Sequence, residues 1–154
     1  MTDDATHAAV ERIRGRFDDG WGQWIDCEEG WWPILVRLDA DFAAIDPGFR
    51  LHQVKQKWGG LRWYYEPSVG LPQATCDLLE ARLREAEAEA AATCELCGQP
   101  GRLARRHSLY ASVQTLCDAH RLERGEQSGV PWLWAEDWTA DTILRLRDEW
   151  EAGQ

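Results

Sequence analysis

At 154 residues the chain is long enough for one domain with a reasonable buried core, or for one domain carrying a small appended lobe. A formal net charge of -10 argues against a general nucleic-acid binder, because phosphate contacts need clustered Lys and Arg. No stretch approaches the length of a membrane span, the N-terminus lacks a basic segment followed by an apolar run, and five cysteines are an odd number; the composition predicts a cytoplasmic protein rather than a disulfide scaffold.

In chain order, residues 6–17 read as a first helix, with Thr6 as N-cap and Val10, Ile13 and Phe17 at helical spacing. Asp18-Asp19-Gly20 ends it, and residues 21–29 read as a polar loop. A second helix opens at Trp31-Trp32-Pro33, with proline tolerated in the first turn. Ile34, Leu38, Phe42 and Ile45 form its apolar stripe.

Residues 49–66 carry the clearest β signal. With Gly59-Gly60 as a two-residue turn, Trp58 faces Leu61, Gln56 faces Trp63 and Val54 faces Tyr65. That register sorts Val54, Trp58, Leu61, Trp63 and Tyr65 onto an apolar face that should cover the second helix. The opposite face carries Gln53, Lys55, Lys57, Arg62, Tyr64 and Glu66, and a slip by one residue would destroy the sorting. Lys55, Lys57, Arg62 and Tyr64 are therefore a candidate exposed binding face.

Residues 67–72 are a linker, and 73–92 form a long third helix with Cys76, Leu79, Leu83, Ala86 and Ala90 on one stripe. This helix feeds Cys94 directly. Cys94-Glu-Leu-Cys97-Gly98 and Cys117-Asp-Ala-His120 each supply two donors two residues apart, the spacing that closes a tetrahedral zinc site. Gly98 allows the sharp turn of a zinc knuckle. The intervening residues, about 102–116, read as a hairpin, and Cys117 and His120 fall on the first turn of the following helix. Knuckle, hairpin and ligand-donating helix make a treble-clef layout. With Cys94, Cys97, Cys117 and His120 all bound to one Zn2+, no coordination position remains for water, so the ion is structural.

After a polar link at 125–129, residues 130–134 are an extended aromatic stretch, and Thr139 caps a last helix with Ile143, Leu146 and Trp150 on one stripe. Residues 1–93 thus form the body, 94–125 the zinc lobe, and 126–154 a C-terminal segment packing back on the body.

Two local basic spots survive in an acidic chain. Residues 51–66 hold Lys55, Lys57 and Arg62 against Glu66, and residues 94–125 hold five arginines, Arg105 and Arg106 among them, against three acids. Ten tryptophans are too many to hide easily, so Trp132, Trp134 and the segment 21–32 are candidate interface anchors.

No Gly-rich phosphate cradle and no Ser-His-Asp order is present. The nearest enzymatic pattern is a nuclease of the HNH type with His107 as general base. Arg106 precedes that histidine, and no downstream Asn and second His follow on a helix.

The run from Gln53 to Tyr65, QVKQKWGGLRWYY, together with CELCG at 94–98 and TLCDAH at 115–120, resembles a group of small uncharacterised bacterial and phage proteins. They share a VKEKFGGLRFY hairpin and a CEVCG…TLCDEH finger. The resemblance covers roughly residues 31–121 and carries no activity with it. Trp58 and Trp63 stand where that pattern has Phe, and its finger hairpin tends to lack a histidine, which weakens His107 as a base.

The sequence thus predicts an α+β fold, with helices on a small antiparallel sheet and a treble-clef zinc lobe. It predicts a non-catalytic protein-binding module of inhibitor, immunity or adaptor type, without a small-molecule cofactor. A nucleic-acid reader using Arg102, Arg105, Arg106 and the Lys55, Lys57, Arg62, Tyr64 face is the rival expectation.

Overall fold

A computed structural model describes residues 2–18, 22–108 and 112–154. The chain is α+β: α1 (Asp4–Arg14), β1 (Ile25–Asp26), α2 (Trp32–Ile45), β2 (Arg50–Lys57), β3 (Gly60–Glu66), α3 (Gln73–Ala91), β4 (Arg102–Arg106), β5 (Val113–Leu116), α4 (Asp118–Ser128), β6 (Trp132–Trp134) and α5 (Ala140–Ala152). These strands make two three-stranded sheets, ordered β1-β2-β3 in the body and β5-β4-β6 in the lobe.

The body is built on the contact between α2 and the hairpin. The Phe42 ring of α2 meets Phe49, Trp63 and Tyr65 edge-on at 5.2, 5.8 and 4.8 Å, so the apolar face covers the second helix as the register argument requires. Ile34, Leu35, Leu38, Leu51, Val54, Leu61 and Leu79 complete this core.

The hairpin turn lies one residue earlier than expected. Val54 pairs with Trp63, Lys55 with Arg62 and Gln56 with Leu61, so Trp58 and Gly59 are the turn residues. Both have positive φ, 55° and 76°, as a type I′ turn demands. The reason for this placement lies in the turn's hydrogen bonds. Gly59 N–H donates to Gln56 Oε1 at 2.8 Å, and its carbonyl accepts from the buried Thr115 hydroxyl, also at 2.8 Å. Moving the turn centre by one residue moves each cross-strand partner by two, so the two faces survive. Trp58 alone leaves the apolar face. At the other end His52 is the extra residue of a β-bulge between the Leu51–Tyr65 and Gln53–Tyr64 pairs. This bulge turns Leu51 and Phe49 inward alongside Val54, which strict alternation would not do.

The first helix begins earlier than expected. Asp3 rather than Thr6 is the cap, its carboxylate accepting from Thr6 N–H at 2.7 Å, and Phe17 lies beyond the helix end, bridging Leu51. Residues 25–26, expected as loop, add a short parallel strand beside Val54 and Lys55. The expected helix stop at Asp18-Asp19-Gly20 and the side chain of Trp21 fall largely outside the described residues.

The C-terminal segment joins the lobe's sheet. β6 pairs antiparallel with β4, placing Ala104 opposite Trp134 and Arg106 opposite Trp132. Trp132 then closes a small second core with Cys94, Ala104 and Leu116, which a lobe this short could not otherwise fill. Thr139 caps α5 by accepting from Thr142 N–H. Only Leu146 of the expected α5 stripe is buried; Ile143 and Trp150 are exposed.

Candidate metal centre and binding face

The end of α3 sets the geometry. Thr93 carbonyl accepts from Trp31 Nε1 at 2.9 Å, Glu95 carbonyl from Gly30 N–H at 2.8 Å, and the Glu95 carboxylate from Glu28 N–H at 3.2 Å. The knuckle is thereby bonded to the entry of α2. Gly98, at φ 77°, makes the expected turn, and its N–H donates to Cys94 carbonyl at 2.9 Å. The β4–β5 hairpin then carries the chain to Cys117, the N-cap of α4, with His120 in that helix's first turn.

Cys94, Cys97, Cys117 and His120 come together, with one donor atom of each within 4.8 Å of all the others. Cys97 Sγ and Cys117 Sγ are 3.8 Å apart, and His120 Nδ1 lies 3.5 Å from Cys94 Sγ and 3.2 Å from Cys117 Sγ. Metal–sulfur bonds of about 2.3 Å and metal–nitrogen bonds of about 2.0–2.1 Å at tetrahedral angles require edges of about 3.8 and 3.6 Å. The donor set therefore fits one metal ion. Nδ1 is the nitrogen turned to the sulfurs, and Glu123 lies 3.6 Å from Nε2, where a carboxylate orients a ligating imidazole.

Electrostatics around the thiols differ by position. Burial pushes the Cys94 thiol up, but backbone N–H groups of Cys117, Cys97 and Leu96 outweigh burial and bring it down to about 7. Cys97 is pushed up to about 11, first by burial and then by the neighbouring Cys94 and Cys117 thiols. Cys27, outside the cluster, is pushed up by burial and by the Glu95 carboxylate. Among the other described side chains, Asp18, His52 and Glu66 also lie close together. Arg50 already pairs with both of those carboxylates, at 2.8 and 3.6 Å, which makes them an ion-pair network.

No family model, no curated protein and no solved structure matches the chain. Among the described residues no helix is long and apolar enough to cross a membrane.

The other expected site residues divide into three groups. Lys55, Lys57, Arg62 and Tyr64 share the solvent face of the body's sheet, with Lys55 Nζ 5.8 Å from the Tyr64 ring centre. Arg105 and Arg106 lie on β4, where the Arg105 guanidinium stacks 4.2 Å above Trp138 and Arg106 Nε donates to Ser108 Oγ. Trp132 and Trp134 lie on β6 in the lobe's sheet, the first buried and the second half-buried. Trp132 is only 6% exposed, and Trp134 carries the Arg102 and Arg121 guanidinium groups on its ring at 4.2 and 4.8 Å.

Within the 21–32 segment, Trp31 is fully buried and Trp32 packs edge-on against His7, whereas Trp24 is 77% exposed. His107 is partly buried. Its N–H donates to Pro131 carbonyl at 2.7 Å and its ring meets Trp138, because the C-terminal segment covers this side of the hairpin.

Glu95 is the residue that sequence reasoning passed over. It is 3% exposed, and its carboxylate, which accepts from Glu28 N–H and Gln114 Nε2, is held above the usual range, by burial first. The only hint was a charged residue between two ligands in a short knuckle.

Proposed function

We propose that the protein is a non-catalytic binding module whose lobe holds one structural Zn2+ in a treble-clef arrangement of Cys94, Cys97, Cys117 and His120. The observation that carries this reading is the closed donor set. Three sulfurs and one imidazole nitrogen complete a tetrahedron, leaving no position for a water or a substrate. Three thiolates and an imidazole favour zinc over harder cations such as Mg2+ or Ca2+. The ion's chemistry here is to staple the knuckle to the start of α4. The chain's own residues do the rest: Glu123 orients the imidazole, and Glu95 ties the knuckle to the body.

A nuclease reading has little support. His107 Nε2 is buried with no hydrogen-bond partner among the described residues, and burial holds the imidazole below its ordinary pKa. A base for water activation needs reach to solvent or substrate.

X-ray absorption at the zinc edge tests the proposal. Three sulfur neighbours at about 2.3 Å and one nitrogen at about 2.0 Å are expected. An oxygen neighbour in place of one of them would reopen a catalytic role.

A protein partner remains the second reading. Trp24, exposed and lining one surface pocket with Asp26, offers an aromatic anchor beside an acid that suits a basic partner.

A further inference from the structure

The structure joins what the sequence shows as two separate basic spots. On the solvent face of the body's sheet, Gln53–Tyr64, Lys55–Arg62 and Lys57–Gly60 are successive rungs. Rungs two residues apart along a strand are spaced by about 6.6–6.8 Å. The row runs into the turn at Trp58, which is 66% exposed, and Trp58 shares a cleft with Leu103, Val113, Trp138 and Arg105 of the lobe. Tyr64, the row of cations, Trp58 and Arg105 thus form one continuous track across body and lobe.

Lys55 and Arg105 on this track lie over aromatic rings rather than against carboxylates. The chain carries 27 acids against 17 Lys and Arg, so a surface cation should easily find a carboxylate. Among the described residues Lys55, Lys57, Arg62 and Arg105 have none within 4.0 Å. Arg105 Nε is buried with no hydrogen-bond partner among the described residues. Among the described residues, the strands of this sheet carry two acids, Asp26 and Glu66. Asp26 lies beside Lys55 on the edge strand without pairing to it, and Glu66 at the far end is engaged by Arg50 and His52.

We infer that this track binds a single-stranded nucleic acid, its phosphates meeting Lys55, Lys57, Arg62 and Arg105 and its bases stacking on Tyr64 and Trp58. The inference rests on the binding-module reading and names its partner. Cations alone would serve any polyanion. The two exposed rings, Tyr64 at 43% and Trp58 beyond the row, select a chain that alternates charge with flat unpaired bases. A duplex hides those bases, and an acidic peptide lacks them.

The test uses the full chain with its metal bound. Fluorescence anisotropy is read with labelled twelve-residue oligo(dT), oligo(U), a DNA duplex and oligo-glutamate, between 50 and 200 mM salt. Binding to either single strand is expected, with a log–log salt slope of about -3 for four phosphate contacts. The Lys55→Ala, Lys57→Ala, Arg62→Ala triple variant should reduce that slope by about 2. Tyr64→Leu should weaken binding by about five- to hundredfold, and Tyr64→Phe should restore it, since the π-face is what the base meets.

Duplex or oligo-glutamate bound as tightly as the single strands, or no binding at 50 mM salt, overturns the inference. Bound zinc, measured on the same samples, separates the two readings. Full zinc with no oligonucleotide binding sinks the track alone, and absent zinc sinks the structural-ion reading.

Discussion

The buried hydroxyl of Thr115, on the lobe's β5, donates a 2.8 Å hydrogen bond to the carbonyl of Gly59 in the turn of the body's hairpin. The sequence separation of 56 residues makes this bond a clasp between two layers built independently. A Cβ at Gly59 would fall 2.1 Å from Leu103 Cδ1, so the turn sits hard against the lobe.

Thr115→Val keeps the shape but leaves the Gly59 carbonyl buried without that donor. It should cost about 1–3 kcal/mol, read as a lower urea midpoint with metal content unchanged. A variant as stable as the parent would show that the clasp contributes nothing.

Gly30 makes the second junction. A Cβ there would lie 2.4 Å from Cys94 carbonyl and 2.5 Å from Glu95 carbonyl, both backbone atoms that cannot swing away. Gly30→Ala should destabilise by about 2–3 kcal/mol through forced overpacking. Gly70, at φ 82° with nothing within 4 Å, is the control. Gly70→Ala should cost only about 1 kcal/mol, for the left-handed backbone. Equal thermal shifts in the two variants would contradict the tight knuckle contact.

Asp46 gives a pH dependence. Burial pushes its carboxyl up, but donations from Ser68 Oγ, Ser68 N–H and Gly48 N–H outweigh burial and hold the group below 3.8. A depressed folded pKa stabilises fully above the unfolded pKa of about 3.9, and that stability is lost as pH falls through the folded value. Asp46→Asn should therefore cost about 1–3 kcal/mol at pH 7, with the gap to the parent closing below about pH 4. Urea midpoints at pH 7, 5 and 3 measure it, and a gap independent of pH would refute the assignment.

Glu123 should matter to metal affinity without touching the ion. Glu123→Gln removes the charge facing His120 Nε2 and is expected to weaken binding by about 10- to 100-fold in a chelator competition assay, with the fold intact by circular dichroism. Unchanged affinity would remove Glu123 from the site.

Much of this architecture is legible in the chain because local rules agree with global packing. The spacing of Cys94, Cys97, Cys117 and His120 announces the cluster, and alternation along 49–66 announces the two faces of the hairpin. The failures arise where tertiary partners decide. Gly59-Gly60 is the obvious turn until Thr115 and Gln56 are present to satisfy Gly59, and the inward turn of Leu51 depends on a bulge at His52 that alternation cannot show. Trp132 and Trp134 have the look of surface anchors because nothing local reveals that β6 will pair with β4. With Trp132 buried and Trp134 half-buried, the exposed aromatics among the described residues lie elsewhere, on Trp24, Trp58, Tyr64 and Trp150.

Native mass spectrometry of the protein purified without added metal most directly tests whether the lobe is built around one ion. One zinc per chain is expected, lost in a Cys94→Ser variant. A metal-free parent that is fully folded, or a Cys94→Ser variant that keeps its zinc, would contradict the account.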